Sequence, residues 1–176
     1  MILEERIKSA IRDVPNFPKE GIMFKDITPI MMDPILSSDM IDKLFEIYKD
    51  QKIEAVAGIE SRGFLFGYPL AIKLGVPFIL IRKVGKLPYS KISHSYDLEY
   101  GSATIEMHTD AVTKGQRVLI HDDLLATGGS AEAAATLIAK CGAEVAGFNF
   151  LVSLDFLEGK NKLTSFSDKI INFVNY

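Results

Sequence analysis

The chain has 176 residues, 48% of them apolar, enough for one sizeable core and short for two independent ones, so a single domain over residues 1–176 is expected. With 20 Lys and Arg against 23 Asp and Glu the formal net charge is −3, which leaves no overall field to draw in nucleic acid; any bound anion must be held by local geometry. The lone Cys141 cannot build a disulfide framework or a zinc site, Glu4 and Glu5 stand where a signal peptide wants basic charge, and no apolar run approaches the roughly 18 residues of a membrane span, so a cytoplasmic protein without a membrane partner is expected.

In chain order, Ile2, Leu3, Ile7, Ala10 and Ile11 fall at helical spacing and the following Pro15 and Pro18 end that helix. Residues 16–29, NFPKEGIMFKDITP, mix Pro, Gly and charges with aromatics and read as an irregular segment with a purpose beyond linking. Ser38 can cap a helix whose Ile41, Leu44, Phe45 and Tyr48 form one apolar stripe. IEAVAGI at 53–59 is a nearly unbroken apolar run, as a parallel strand covered on both faces requires. FLFGYPLAIKLG at 64–75 is a helix closed by Gly75, and VPFILI at 76–81 is a second buried strand. Residues 82–108 are polar and basic, with a pattern at Tyr100, Ala103, Ile105 and Met107 compatible with a β-hairpin. The unit then repeats as strand 117–122, helix 130–142 and strand 144–154, with IINFV as an edge strand near the end. Strands alternating with helices imply an α/β fold with a mostly parallel sheet, whose ligands sit beyond the carboxyl ends of the strands.

Two turns after strands carry chemistry. After RVLIH come Asp122 and Asp123, then the loop Ala126, Thr127, Gly128, Gly129 and Ser130, which opens a helix. Glycines let backbone N–H groups approach an anion, the helix dipole adds positive potential, and the hydroxyls of Thr127 and Ser130 add donors, so a phosphate monoester fits the loop. The paired acids can accept from vicinal ribose hydroxyls and can hold Mg2+ through water. Gly-Gly alone would be an ordinary turn. Neither GxxxxGK[ST] nor GxGxxG is present, which removes the main support for triphosphatase and dinucleotide readings. The second turn is Glu60, Ser61, Arg62 and Gly63; the Arg62 guanidinium can clasp a diphosphate and Gly63 would let amides approach the same oxygens. A solvated arginine at a helix start is the plainer alternative.

Strand, Asp-Asp, then ATGGS resembles the signature of type I phosphoribosyltransferases, and DDLLATGG is similar to their adenine-specific branch. FKDITP, ESRGF, RKVGKLP, LEYG and DDLLATGGS stand in that branch's order, and the resemblance reaches to about residue 155. It implies an open, mostly parallel twisted sheet flanked by helices, an N-terminal hood at about 15–33 and a flexible β-hairpin lid at about 83–108. It also implies transfer of the 5-phosphoribosyl group from phosphoribosyl pyrophosphate (PRPP) to adenine, giving AMP and diphosphate with Mg2+, in purine salvage by a homodimer. Asp122, Asp123 and Ala126 to Ser130 would hold the ribose 5-phosphate. Glu60, Ser61 and Arg62 would form the pyrophosphate loop, with a cis peptide expected at Glu60–Ser61.

Arg82, Lys83 and Lys86 are candidates for neutralising the leaving group, although such clusters are often only a solvated face. Glu99 inherits proton exchange with the purine, and Tyr100 positions substrate or packs. Met23 main-chain groups would read the exocyclic amine while Phe24 stacks on the base; by residue type alone Glu99 is a surface carboxylate and Phe24 a core aromatic. Lys25 stands where Arg is frequent and keeps the charge without the bidentate fork, and Ser130 replaces a frequent Thr. His121 occupies a usually aliphatic strand position and forms no metal spacing with His94 and His108, so it reads as a partly buried strand residue. Residues 156–176 carry no specific signal. A phosphoribosyltransferase for hypoxanthine, guanine or xanthine, and a PRPP-sensing regulator without catalysis, remain the alternatives.

Overall fold

The structure, a computed structural model, describes residues 2–97 and 101–176, and the chain divides into two compact units, Met1–Glu46 and Ile47–Tyr176. In the first unit, helix α1 (Leu3–Ala10) covers the expected periodic stretch; the Ile2 N–H donates to Glu5 at 3.1 Å and Lys8 pairs with Glu4 one turn back. The segment expected to be irregular is partly ordered. Strands β1 (Arg12–Pro15) and β2 (Met23–Asp26) pair antiparallel, and the turn between them contains a cis Phe17–Pro18 peptide. Opposite charges face each other across this ribbon: Asp13 meets Lys25 at 2.6 Å and Arg12 meets Asp26 at 3.7 Å.

Helix α2 (Thr28–Met31) leads to α3 (Pro34–Tyr48), which begins earlier than Ser38. The Asp33 carboxylate accepts the Leu36 N–H at 2.9 Å and Pro34 occupies the first helical position, so Asp33 caps the helix and Ser38 lies inside it. Leu36, Met40, Leu44 and Tyr48 are the buried stripe of α3.

The second unit holds, among the described residues, a seven-stranded sheet in the order β5-β6-β4-β3-β7-β8-β9. Its strands and helices are β3 (Ala55–Ile59), α4 (Gly63–Leu74), β4 (Phe78–Lys83), β5 (Lys91–Asp97), β6 (Ser102–His108), β7 (Arg117–Leu125), α5 (Gly129–Lys140), β8 (Glu144–Ser153), α6 (Lys160–Leu163) and β9 (Ile170–Asn175). β3, β4, β7, β8 and β9 run parallel, and β9 is the expected edge strand. β5 and β6 form the expected hairpin, attached to the edge of β4 with Arg82 opposite Glu106. The fully buried AVAGI of β3 explains its unbroken apolar run: it lies mid-sheet between β4 and β7. Gly75 closes α4 in the left-handed conformation, at φ +71°. Because β3 and β7 are neighbours, with Gly58 opposite His121, the turns that follow them emerge at the same edge of the sheet.

β7 runs further than expected, through both acids to Leu125, and carries a polar group into the core. His121 is completely buried, and its Nδ1 donates to Asn149 Oδ1 at 2.7 Å. Burial pulls the imidazole pKa down to about 4, against the opposing pull of the Asn149 bond, so His121 is neutral in the folded protein. A base with a depressed folded pKa gives stability above its unfolded value and withdraws it as pH falls from about 6.5 to about 4, by roughly 3 kcal/mol for the full shift. Thermal melts of wild type and His121→Leu across that window should show a shallower acid-side decline in the variant; parallel declines would remove His121 as the cause.

Candidate active site

The turn after β3 is shaped before any side chain acts. The Glu60–Ser61 peptide is cis, at the expected bond, and the Glu60 N–H donates to Ile81 O on neighbouring β4 at 2.8 Å. The Phe64 and Leu65 N–H groups donate to Ser61 O and Arg62 O rather than to a capping side chain, and so begin α4. Packing alone already requires glycine at Gly63. A Cβ there would lie 2.7 Å from His121 O and 3.1 Å from Asp122 Oδ1, so the bare Cα lets α4 pack against β7 where the acids begin.

Arg62 joins the two turns. Its Nε lies 2.7 Å from Asp123 Oδ2, and the Asp123 side chain is only 5% exposed. Asp122 turns inward differently, with Oδ1 accepting the Asp123 N–H at 2.9 Å. Burial first, then the charge of Asp123, pushes the Asp122 carboxyl well above its ordinary range. Burial also raises Asp123, with the Arg62 guanidinium pulling it back. Two carboxyls side by side in a recess therefore resist ionising together unless cations or hydrogen-bond donors arrive.

Glu60 gathers the basic residues. Its carboxylate accepts from Arg82 Nε at 3.2 Å and from the Lys83 N–H at 2.9 Å, and it forms a short ion pair with Lys86. Burial alone would raise this carboxyl, but Lys86, the Lys83 amide and Arg82 together bring it down to about 2. The intervening turn is pinned on its other side, where the Gly85 N–H, at a residue with φ +83°, donates to the buried Glu106 at 3.0 Å.

Beyond β7, Gly128 (φ +81°) precedes α5, so the loop reaches the helix N-terminus through a left-handed residue. The hairpin meets this loop: Tyr96 Oη lies 2.9 Å from Ser130 Oγ.

These elements enclose a cavity of about 850 Å³. Glu60, Ser61, Arg62, Lys83, Lys86, Asp122, Asp123 and Ser130 all line it. Ala126, Thr127, Gly128 and Gly129 form the adjoining loop, and Arg82 stands behind Glu60. Met23, Phe24 and Lys25 belong to the first unit on β2, where Phe24 meets Phe17 edge-on at 5.1 Å. Glu99 and Tyr100 lie outside the described residues. Sequence reasoning missed Tyr96, although Ile92, His94 and Tyr96 alternate on the half-buried side of β5. It also missed Glu106, for which β6 shows no signal beyond a carboxylate amid apolar neighbours.

Residues 32–174 match the family model described as phosphoribosyl transferase domain. The chain is 51% identical to adenine phosphoribosyltransferase of Cytophaga hutchinsonii, across 99% of this chain and 97% of that protein. Among solved structures it is similar to the enzyme of that name from Thermoanaerobacter pseudethanolicus, with a TM-score of 0.94, 47% identity and coverage of 98% and 99% of the two chains. It is also similar to that of Saccharomyces cerevisiae, crystallised with adenine and an imino-altritol bisphosphate, with a TM-score of 0.90, 42% identity and coverage of 97% and 98%.

The acid pair costs stability in the unliganded protein. An acid whose folded pKa is raised loses stability as pH climbs from the ordinary carboxylate value, near 4, through the raised one. Asp122→Asn keeps an oxygen for the Asp123 N–H and removes the charge. It should raise the melting temperature at pH 7.5 by about 2–4 °C, with a gain that shrinks toward pH 4. Differential scanning calorimetry across that range checks it; a variant less stable than wild type at pH 7.5 would count against a strained acid pair.

Proposed function

We infer the reaction from one premise: this chain belongs to the phosphoribosyltransferase family, in its adenine-specific branch. It transfers the 5-phosphoribosyl group of PRPP to adenine, giving AMP and diphosphate, the chemistry of purine salvage. The observation that carries the site reading is the Arg62–Asp123 pair, which ties a cis-peptide turn to the acids that precede a glycine loop, beside one cavity.

Each group then has a task. Asp122 and Asp123 accept hydrogen bonds from the two ribose hydroxyls, which relieves the crowding of the carboxyls. The amides of Ala126, Thr127, Gly128, Gly129 and Ser130, with the Thr127 and Ser130 hydroxyls, hold the 5-phosphate. Ser61 and Arg62 take the diphosphate from one side, and Lys83 and Lys86 take it from the other, with Arg82 and Glu60 keeping those lysines in reach. Bond breaking at the anomeric carbon puts positive charge on the ring and negative charge on the departing diphosphate, so carboxylates beside the ribose and cations beside the diphosphate stabilise both. On the base side Phe24 stacks on adenine, Met23 main-chain groups read its exocyclic amine, Lys25 adds positive charge, Glu99 exchanges a proton with the purine and Tyr100 orients it.

Mg2+ suits this donor set. The carboxylates of Asp122 and Asp123 are hard oxygen donors on the cavity, while among the described residues no three His, Cys, Asp or Glu gather as a metal cage. Those two acids would hold the ion through water, with direct ligands coming from PRPP, and the ion supplies charge neutralisation for the diphosphate.

The outward side of α4, with Leu65, Tyr68 and Ile72 at 43%, 55% and 62% exposure, supports a homodimer. No described helix is long and apolar enough to cross a membrane, and we place the enzyme in the cytoplasm.

Purified protein given PRPP, Mg2+ and one base at a time should form AMP from adenine and little product from hypoxanthine, guanine or xanthine. Absence of AMP would overturn the assignment, and PRPP binding without turnover on any base would make the chain a sensor. Chelating the metal should lower turnover at least about 100-fold and restoring Mg2+ should recover it.

The acids and the lid should separate kinetically. Asp123→Ala should mainly raise KM for PRPP, whereas Glu99→Ala should lower kcat about 100-fold with PRPP binding preserved. Equal losses of both properties in the two variants would undo that division of roles.

A further inference from the structure

The segment after β8, which shows no motif, packs its backbone directly on the phosphate loop. Gly159 is the point of contact. A Cβ built there would lie 2.9 Å from Gly128 N and closer still to Ala126 O. The contact is mutual, because a Cβ on Gly128 would lie 2.5 Å from Gly159 O and 3.3 Å from Gly159 Cα. All the obstructing atoms are backbone, so no side chain can rotate away to make room. Gly159 itself sits at φ −58°, ψ −25°, a conformation open to any residue, so close approach alone demands glycine here.

The turn that presents Gly159 is anchored at several places. The Leu154 N–H donates to Leu125 O at the end of β7, and the Asp155 N–H donates to Tyr176 O, both at 2.9 Å. Asp155 also accepts from Ser153 Oγ at 2.6 Å and pairs with Lys160 at 3.0 Å. Leu163, one helical turn on, is fully buried in the core beneath α5. Gly159 is therefore fixed relative to β7 and cannot simply recede if the phosphate loop is pushed.

We propose that Gly159 is a positioning residue for phosphoribosyl transfer: its peptide is the back wall against which the Ala126–Gly128 backbone is shaped to receive the 5-phosphate. The inference rests on the reading of Ala126 to Ser130 as the phosphate loop. A methyl group at Gly159 must displace that loop by a large fraction of an ångström, and a displacement of this order at a site built on oriented amides weakens the phosphate contacts. Met23 and Phe24, the residues read as base contacts, belong to β2 and form no part of this wall.

The test is steady-state kinetics of Gly159→Ala with each substrate varied in turn, together with calorimetric titration of ribose 5-phosphate. We expect KM for PRPP and the dissociation constant for ribose 5-phosphate to rise by about ten-fold or more, with KM for adenine and kcat at saturation within about two-fold of wild type. Asp155→Ala loosens the same turn without inserting an atom, and should raise KM for PRPP about three-fold with the same selectivity. If Gly159→Ala does not fold, Asp155→Ala decides the matter alone, and an unchanged KM for PRPP in it overturns the proposal.

A folded Gly159→Ala with unchanged PRPP and ribose 5-phosphate affinities overturns the proposal, as does an equal rise in both KM values. Wild-type protein that forms no AMP and binds no ribose 5-phosphate would instead remove the reading of the loop. The two failures are thus distinguishable.

Discussion

The ion pair between Arg62 and Asp123 is the constraint on which the site depends. β3 and β7 lie side by side and parallel, so their carboxyl ends open at one edge, and a recess there is unavoidable. Filling it with two adjacent carboxyls is unfavourable on its own, because each is desolvated and each repels the other. Arg62 reaches across from the neighbouring turn to offset part of that cost. Removing Arg62 would leave the buried Asp123 carboxylate uncompensated, which is generally worse than never having built the pair. The pairing also fixes the separation of the two turns, and with it the span of the recess between them.

A second layer of neutralisation lies behind the first. Glu60 carries no free charge toward the cavity, since Arg82, Lys86 and the Lys83 amide share its two oxygens. The carboxylate thereby holds in one place cations that would otherwise spread over a polar loop, and Glu106 fixes the turn between them through Gly85. This explains how a chain of net charge −3 gathers cations along one cavity. Local carboxylates position the cations, oriented amides supply partial charge, and the global field contributes little.

How much of this was legible in the sequence follows from the range of the forces involved. AVAGI and VLI announce buried parallel strands because both faces must be apolar, and Gly75 announces a helix end because its φ is one that other residues avoid. The acids, ATGGS and ESRG could be found because their chemistry is local to a few consecutive residues. The β1–β2 ribbon could not: four-residue strands are too short to display a period, and the pairing of Asp13 with Lys25 is visible only once the ribbon is folded. Asp33 displaced Ser38 as the cap because Pro34 can begin a helix, a cue that was present and passed over. Glu106, Tyr96 and Gly159 act through tertiary contacts with residues far along the chain, so no window of sequence contains their reason.

The way the hairpin is hung carries a mechanical consequence. β6 joins β4 at its end, Arg82 opposite Glu106 and Lys83 opposite Ile105, and Val84 donates one more bond to Thr104 at 3.1 Å. The residues that bear the hairpin's weight are therefore themselves among the basic residues gathered at Glu60. The β5–β6 arm is joined to the parallel strands at Arg82 and Lys83, while its far side touches the start of α5 through Tyr96 and Ser130. The arm is a lever whose fulcrum lies at Arg82 and Lys83 and whose load is the start of α5, so the β4 side of the cavity and the loop after β7 are geared together through the two strands of one hairpin.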